Sequence, residues 1–186
     1  HHHLGLGNSV RLTTLSVSNE RRDYRVFEEF ATILIHKARA LRQDEPFDLP
    51  VKGNVYAFDS STISLCLSLF PWARFKYGKS AVKLHAQYDV RTNIPSLVVV
   101  TPASVNDKRG IDFLCIEHGS YYIFDRGYND FARLYSINLK DGYFVIRAND
   151  NLKFRRIYSI KGERDKSIIA DQIGVFTTGL SPKRYP

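Results

Sequence analysis

Two acidic residues stand where hydrophobic runs stop. Asp59 interrupts "NVYAFDSSTISL", residues 54–65, and Asp125 follows "YYIF" and opens "DRGYND". An acid directly after a half-buried strand projects its carboxylate where the core gives way to solvent. If the two strands are sheet neighbours, the carboxylates meet in space although 66 positions separate them. Such a pair does not stay ionised cheaply without a cation between its members, and hard oxygen ligands with an open side are what Mg²⁺ accepts. Two such ions, about 3.5 to 4 Å apart, would activate an attacking oxygen and stabilise the leaving oxygen of a phosphodiester. The plainer alternative makes each Asp a helix N-cap or turn residue, which "GYND" after Asp125 allows. At Asp59 the hydroxyls of "SST" suit a turn better than the acid does.

Groups suited to phosphates surround these acids in the sequence. Lys76, Lys79, Lys83 and His85 cluster in "KYGKSAVKLH". On an alternating strand Lys83, His85 and Gln87 share one face, opposite Val82, Leu84 and Ala86. That face is expected to border Asp59 if its strand pairs with the first. Lys83 and His85 would then hold phosphates or order hydrogen bonds behind the acids, the plain alternative being a solvated polar face. Arg126 and Tyr128 are candidates for a phosphate clamp and a stacking contact, although Tyr128 is equally suited to pack under the following helix. Trp72, amid Phe70 and Phe75, reads as a core anchor before it reads as a stacking platform. Arg147, Arg155 and Arg156 suit either a DNA-facing edge or a solvated one. Asp89, Asn106 and Asp107 are turn-type residues, and Asp107 is also a candidate for supporting the acids.

Composition bounds these readings. The 27 Lys and Arg against 19 Asp and Glu leave a formal charge of +8, which suits a polyanionic partner through counterion release. No apolar run approaches the roughly 20 residues of a membrane helix, so a soluble protein is expected. Cys66 and Cys115 lack a C-x-x-C spacing and sit among apolar neighbours, which predicts buried thiols in a reducing compartment. At 186 residues one domain with a sizeable core is the prior. The opening histidines, residues 1–3, read as a purification-tag remnant, and the absence of Met fits a chain whose natural start is missing.

The elements that must position the acids follow from periodicity. Apolar residues at helical spacing, with acids early and bases late, predict a helix over 20–43, and Pro46, Pro50 and Gly53 break the chain after it. Three strand-like runs follow, "VYAFDS", "AVKLHAQYDV" and "SLVVVTPA". Then come a helical stretch over 107–117, the strand "YYIFD", a helix over 129–142 and the strand "GYFVIRA". Three antiparallel strands turning into a parallel α/β unit is the architecture this order predicts. Residues 4–52 read as an N-terminal helical segment and linker, 53–150 as the core, and 151–186 as the start of a basic, β-rich elaboration.

The segments "YAFDSSTISL", "KYGKSAVKLHAQYDV", "TPASVNDKRG", "FDRGYNDFARL" and "GYFVIRAN" together resemble the catalytic core of bacterial insertion-sequence DDE transposases, specifically the insertion-sequence-four family. The resemblance covers roughly residues 53–150. It implies a ribonuclease H-like fold, a mixed sheet of about five strands with flanking helices. It also implies DNA transposition: metal-dependent cleavage of transposon ends and strand transfer into target DNA, with two Mg²⁺ or Mn²⁺ ions. Asp59 matches the family's first catalytic acid and Asp125 its second. The third, a Glu in a Y-x2-R-x3-E-x6-K motif, has no counterpart here. Glu163, the single Glu downstream of Asp125, lacks the Tyr and Arg at the required places. The third acid is therefore expected beyond residue 186, leaving this piece inactive alone. Lys79, Lys83, His85, Arg126 and Tyr128 are the expected DNA contacts. Double-stranded DNA is the implied partner, with self-association in a synaptic complex, no membrane, and a bacterial cytoplasmic, nucleoid-associated location. Two alternatives are a catalytically incomplete DNA-binding transposase fragment and a ribonuclease H-like nuclease.

Overall fold

Everything that positions the acids is built on one long strand, β1, Val55–Leu65, rich in the aromatic and β-branched residues that fit a pleated surface. In the computed structural model, which describes residues 10–66, 70, 73–75, 79–160 and 167–177, β1 lies inside a six-stranded sheet. On one side it pairs antiparallel with β3, Lys79–Asp89, whose far edge takes β2, Arg74–Phe75, and β4, Ile94–Pro102. On the other it pairs parallel with β5, Tyr121–Phe124, which pairs parallel with β6, Tyr143–Ile146. This antiparallel meander joined to a parallel unit is a ribonuclease H-like α/β fold.

One face of the sheet carries the core, and on the other most of the described residues toward β5, β6 and β4 are exposed. The crossover between β4 and β5 is a 3₁₀ helix, Asp107–Phe113, and α3, Phe131–Asn138, connects β5 to β6. Tyr56, Phe58, Tyr122 and Phe124 point from the strands to meet Ile111, Leu114, Tyr128, Leu134 and Ile137 in a single core. Alternation sends the next residues to the other face, where Val98, Val100, Ile123, Tyr143 and Val145 are exposed. Just before β1, Gly53 runs against Gly119, where any Cβ would collide with the Gly119 carbonyl oxygen.

Several expectations are corrected. β1 does not stop at Asp59: Ser60 to Leu65 stay paired with His85 to Ser80 on β3, and only the β5 side of the ladder ends. The expected helix over 107–117 is a shorter 3₁₀ turn, because Gly110 presses against the sheet and the chain is extended again at Leu114. Cys66 and Cys115 are exposed rather than buried, and neither forms a disulfide. Leu114 takes the inward position beside Cys115, and Cys66 lies just past the end of β1. Beyond β6 the chain forms a two-stranded hairpin, β7, Phe154–Ser159, with β8, Gln172–Phe176.

Residues 10–43 belong to a separate compact unit. It contains α1, Leu12–Arg21, and α2, Arg25–Arg42, in place of one helix over 20–43. Asp23 makes the break: its carboxylate accepts from the Arg25 backbone N–H at 3.0 Å, a local bond that competes with helix. Among the described residues no helix is long and apolar enough to cross a membrane.

Candidate active site

The parallel register sets where the two acids lie. Val55, Tyr56 and Ala57 oppose Tyr121, Tyr122 and Ile123, and the Phe58 and Phe124 rings meet at 6.0 Å. The same offset, carried two residues on, brings Asp59 level with Asp125, just past the last residue of β5. Because Phe58 and Phe124 point into the core, alternation turns both acids toward the open face. The β5–β6 register continues the row: Phe124 opposes Ile146, so Asp125 falls level with the exposed Arg147. Asp59 and Asp125 are both exposed, and among the described residues neither has an ion-pair partner. Asp125 accepts one hydrogen bond, from the Gly127 backbone N–H at 2.8 Å, which fixes the turn Arg126–Tyr128 after it. The turn role and the site role therefore coexist in one carboxylate.

Two adjacent carboxylates without a counter-cation, on an open face, fit a divalent cation by the chemistry of their donors. Among the described residues no third carboxylate, His or Cys completes a cluster with them. Glu163 lies outside the described residues, as do Asp165, Trp72 and Lys76.

Behind the acids, on the covered face, Lys83, His85 and Gln87 are buried and each makes at least one bond, although His85 Nδ1 and Gln87 Oε1 have no partner among the described residues. Ser60 pairs with His85 and Thr62 with Lys83 across the β1–β3 ladder, whereas Asp59 pairs with Ala86. Lys83 and His85 thus occupy the face opposite the Asp59 carboxylate, which corrects the expectation that their face borders it. Lys83, 7% exposed, reaches Asp107 Oδ1 at 2.7 Å and donates to the Val105 carbonyl at 2.6 Å. His85 is fully buried against Phe58, with Nε2 and Thr101 Oγ1 3.0 Å apart. Tyr128, 2% exposed, packs on Phe58 and Phe124 and donates to Ser60 Oγ at 3.0 Å. These three side chains, expected as DNA contacts, are buried on the covered face. Lys83 and Asp107, each expected separately as a group behind the acids, pair with one another.

Electrostatics follow the burial. Burial, and then the Lys83 ammonium, push the His85 pKa down, with Asp107 opposing. Burial alone would raise Asp107, yet hydrogen bonds from Lys83 and Ser60 leave its carboxyl below the ordinary range. The Tyr128 hydroxyl is pushed up to about 12, by burial first and then by the charges of Asp59, Asp107 and Asp125, against the Ser60 hydrogen bond. All three carboxylates thus lie near enough to this one hydroxyl to oppose its ionisation.

The expected phosphate ligands separate by position. Arg126 is adjacent to Asp125 and exposed, and among the described residues its guanidinium pairs with Asp150 at 3.9 Å. Lys79 is exposed at the start of β3, seven residues from Ala86 and hence roughly 24 Å along the strand from the Asp59 level. Arg147 was legible as part of a basic run, but its place in the row with the acids needed the β5–β6 register.

Residues 51–183 match the transposase DDE domain family. The chain belongs to this family. Among its relatives, a protein of Sinorhizobium fredii named as a transposase is 30% identical over 176 residues, 92% of this chain and 48% of the relative. One of Geobacillus stearothermophilus, named as a transposase for insertion sequence element IS5377, is 26% identical over 149 residues, 80% of this chain and 38% of the relative. A third, of Synechocystis sp., named as a transposase for insertion sequence element IS4SA, is 23% identical over 181 residues, 92% of this chain and 50% of the relative. The chain spans about half or less of the length of these relatives. No solved structure matches it. Both acids and the whole polar chain behind them fall inside the family-matched segment.

Proposed function

We propose that this chain is part of a DNA transposase, a DDE-type polynucleotidyl transferase that cleaves transposon ends and joins them to target DNA. In this reading residues 53–150 are its catalytic core and 151–186 begin an elaboration of it. The observation that carries the reading is the unpaired carboxylate row, Asp59 level with Asp125, in a transposase DDE domain. Asp59 and Asp125 would hold Mg²⁺ or Mn²⁺, and two bound ions supply activation of the attacking oxygen and stabilisation of the leaving one. The chain's own part is positioning. β1 and β5 hold the two carboxylates at one level, the Gly127 N–H orients Asp125, and Arg126 and Arg147 offer guanidinium groups to phosphate oxygens beside them. No described side chain is arranged as a nucleophile, and water or a DNA 3′-hydroxyl fills that role. The partner is double-stranded DNA, bound in a self-associated synaptic assembly in the bacterial cytoplasm.

The test is Mg²⁺-dependent cleavage and joining of element-end DNA by the full-length protein and its Asp59→Asn and Asp125→Asn variants. Loss of both steps in both variants, with the fold intact, is the expected result. Retained cleavage in either variant would remove that acid from the reaction.

A further inference from the structure

The ladder that aligns the acids stops short of them. β5 ends at Phe124, so no strand hydrogen bond ties Asp125 to β1. What crosses the gap lies on the covered face. Tyr128 Oη donates to Ser60 Oγ at 3.0 Å, and Ser60 Oγ donates to Asp107 Oδ1 at 2.7 Å. Lys83 Nζ approaches the same Oδ1 at 2.7 Å. The direction of the chain is forced, because Ser60 has a single hydroxyl proton, given to Asp107, and must accept from Tyr128. Ser60 is the residue after Asp59, and Tyr128 is the third after Asp125. A second tie from the same 3₁₀ segment, Lys108 Nζ to the Asn129 carbonyl at 2.8 Å, holds the far side of the Asp125 turn.

We propose that the chain Tyr128–Ser60–Asp107–Lys83 is a strut that sets the spacing and orientation of the Asp59 and Asp125 carboxylates for a divalent cation. Tyr128, Ser60 and Asp107 are its positioning residues. The inference rests on the reading that those two acids hold the ion. It assigns Tyr128 a task that aromatic packing alone does not need: the ring already fills its site against Phe58 at 5.5 Å and Phe124 at 5.8 Å, and among the described residues the hydroxyl adds the bond to Ser60.

Removing the hydroxyl separates strut from packing. Tyr128→Phe keeps the ring, and the full 186-residue chain is titrated with Mn²⁺ by calorimetry at a temperature well below its melting transition. About tenfold weaker Mn²⁺ binding is expected, the size typical of losing a group that orients a ligand. Ser60→Ala should do the same, Ser60→Thr should restore much of the affinity, and the Tyr128→Phe, Ser60→Ala pair should lose no more than the worse single variant. The electron paramagnetic resonance line shape of bound Mn²⁺ should broaden in the weakened variants. A lowered melting temperature with unchanged Mn²⁺ affinity and line shape would overturn the strut and leave a merely structural bond. If Asp59→Asn abolishes binding while Tyr128→Phe leaves it untouched, the site reading stands and the strut fails. Absence of any Mn²⁺ binding by the unaltered chain, or binding unaffected by Asp59→Asn, overturns both.

Discussion

The two faces of β1 differ by a single residue step and have opposite character. Ser60 faces a side where Lys83, Asp107 and Tyr128 are buried or bonded to one another. Asp59 faces a side where its own carboxylate and that of Asp125 have no cation partner among the described residues, bordered by exposed Ile123 and Val145. On the covered side most buried polar groups are bonded within the protein, with His85 Nδ1 and Gln87 Oε1 left without a partner among the described residues, whereas the two carboxylates on the other side are exposed and lack a cation partner. The covered face therefore carries the packed core, and the two carboxylates proposed to hold a cation lie on the other side.

Cutting into the covered face should cost most. Phe58→Ala removes a ring packed on Phe124, Tyr128 and His85 and is expected to destabilise the fold by about 3 to 5 kcal/mol in chemical denaturation. Asp59→Asn should stay within about 0.5 kcal/mol of the unaltered protein. Comparable losses from the two substitutions would erase the contrast. Next in size, Gly110→Ala should cost about 1 to 3 kcal/mol, since its Cβ would stand 2.8 Å from both His85 Nδ1 and the Phe58 ring. A neutral effect would mean the 3₁₀ segment does not press on the sheet.

Acid titration sharpens the comparison further. The His85 pKa is lowered in the folded state, so the unfolded chain binds the proton more tightly. Its contribution to stability is whole above its ordinary value of about 6.5 and is lost as pH falls from there toward the folded value. Asp107, also lowered, adds a second loss beginning near the ordinary carboxylate range of about 4. Denaturation midpoints followed against pH should decline in these two stages, and His85→Gln should remove the first. A first stage that survives His85→Gln belongs to another group.

The smallest effect concerns DNA. Lys79→Ala with Arg126→Ala should flatten the dependence of log K on log salt by up to about 1.8, at roughly 0.9 per phosphate contact on duplex DNA. Lys83→Ala should leave that slope unchanged, because its ammonium is buried against Asp107. A change in slope with Lys83→Ala would mean that the covered face opens when DNA binds.

Much of this was legible in the sequence, and the limits have physical causes. Hydrophobic runs announced the strands, although β1 runs on past Asp59, and the strand and helix order predicted a meander turning into a parallel unit; that β1 and β5 are the parallel neighbours needed the register to show it. Alternation also grouped Lys83, His85 and Gln87 correctly on one side of their strand. It does not say which side is covered, and three polar residues suggested solvent. They are inside with distant partners, Thr101 for His85 Nε2, Val105 and Asp107 for Lys83, and Ser96 for Gln87 Nε2, while His85 Nδ1 and Gln87 Oε1 are left without one among the described residues. The Tyr128–Ser60 bond spans 68 residues, a separation that no local pattern encodes. The hairpin of β7 and β8 was expected only as unspecified β structure, since most of its residues are exposed and neither strand alternates cleanly between buried and exposed positions.

The central claim is that the open-face carboxylates are the cation site, and residue-resolved paramagnetic broadening tests it most directly. Substoichiometric Mn²⁺ added to the isotopically labelled chain should first broaden the backbone amide signals at Asp59, Asp125 and Gly127. Signals at the start of β3, near Lys79, should persist, and Asp59→Asn should abolish the effect. Broadening centred elsewhere on the protein, or unaltered by Asp59→Asn, would contradict the account.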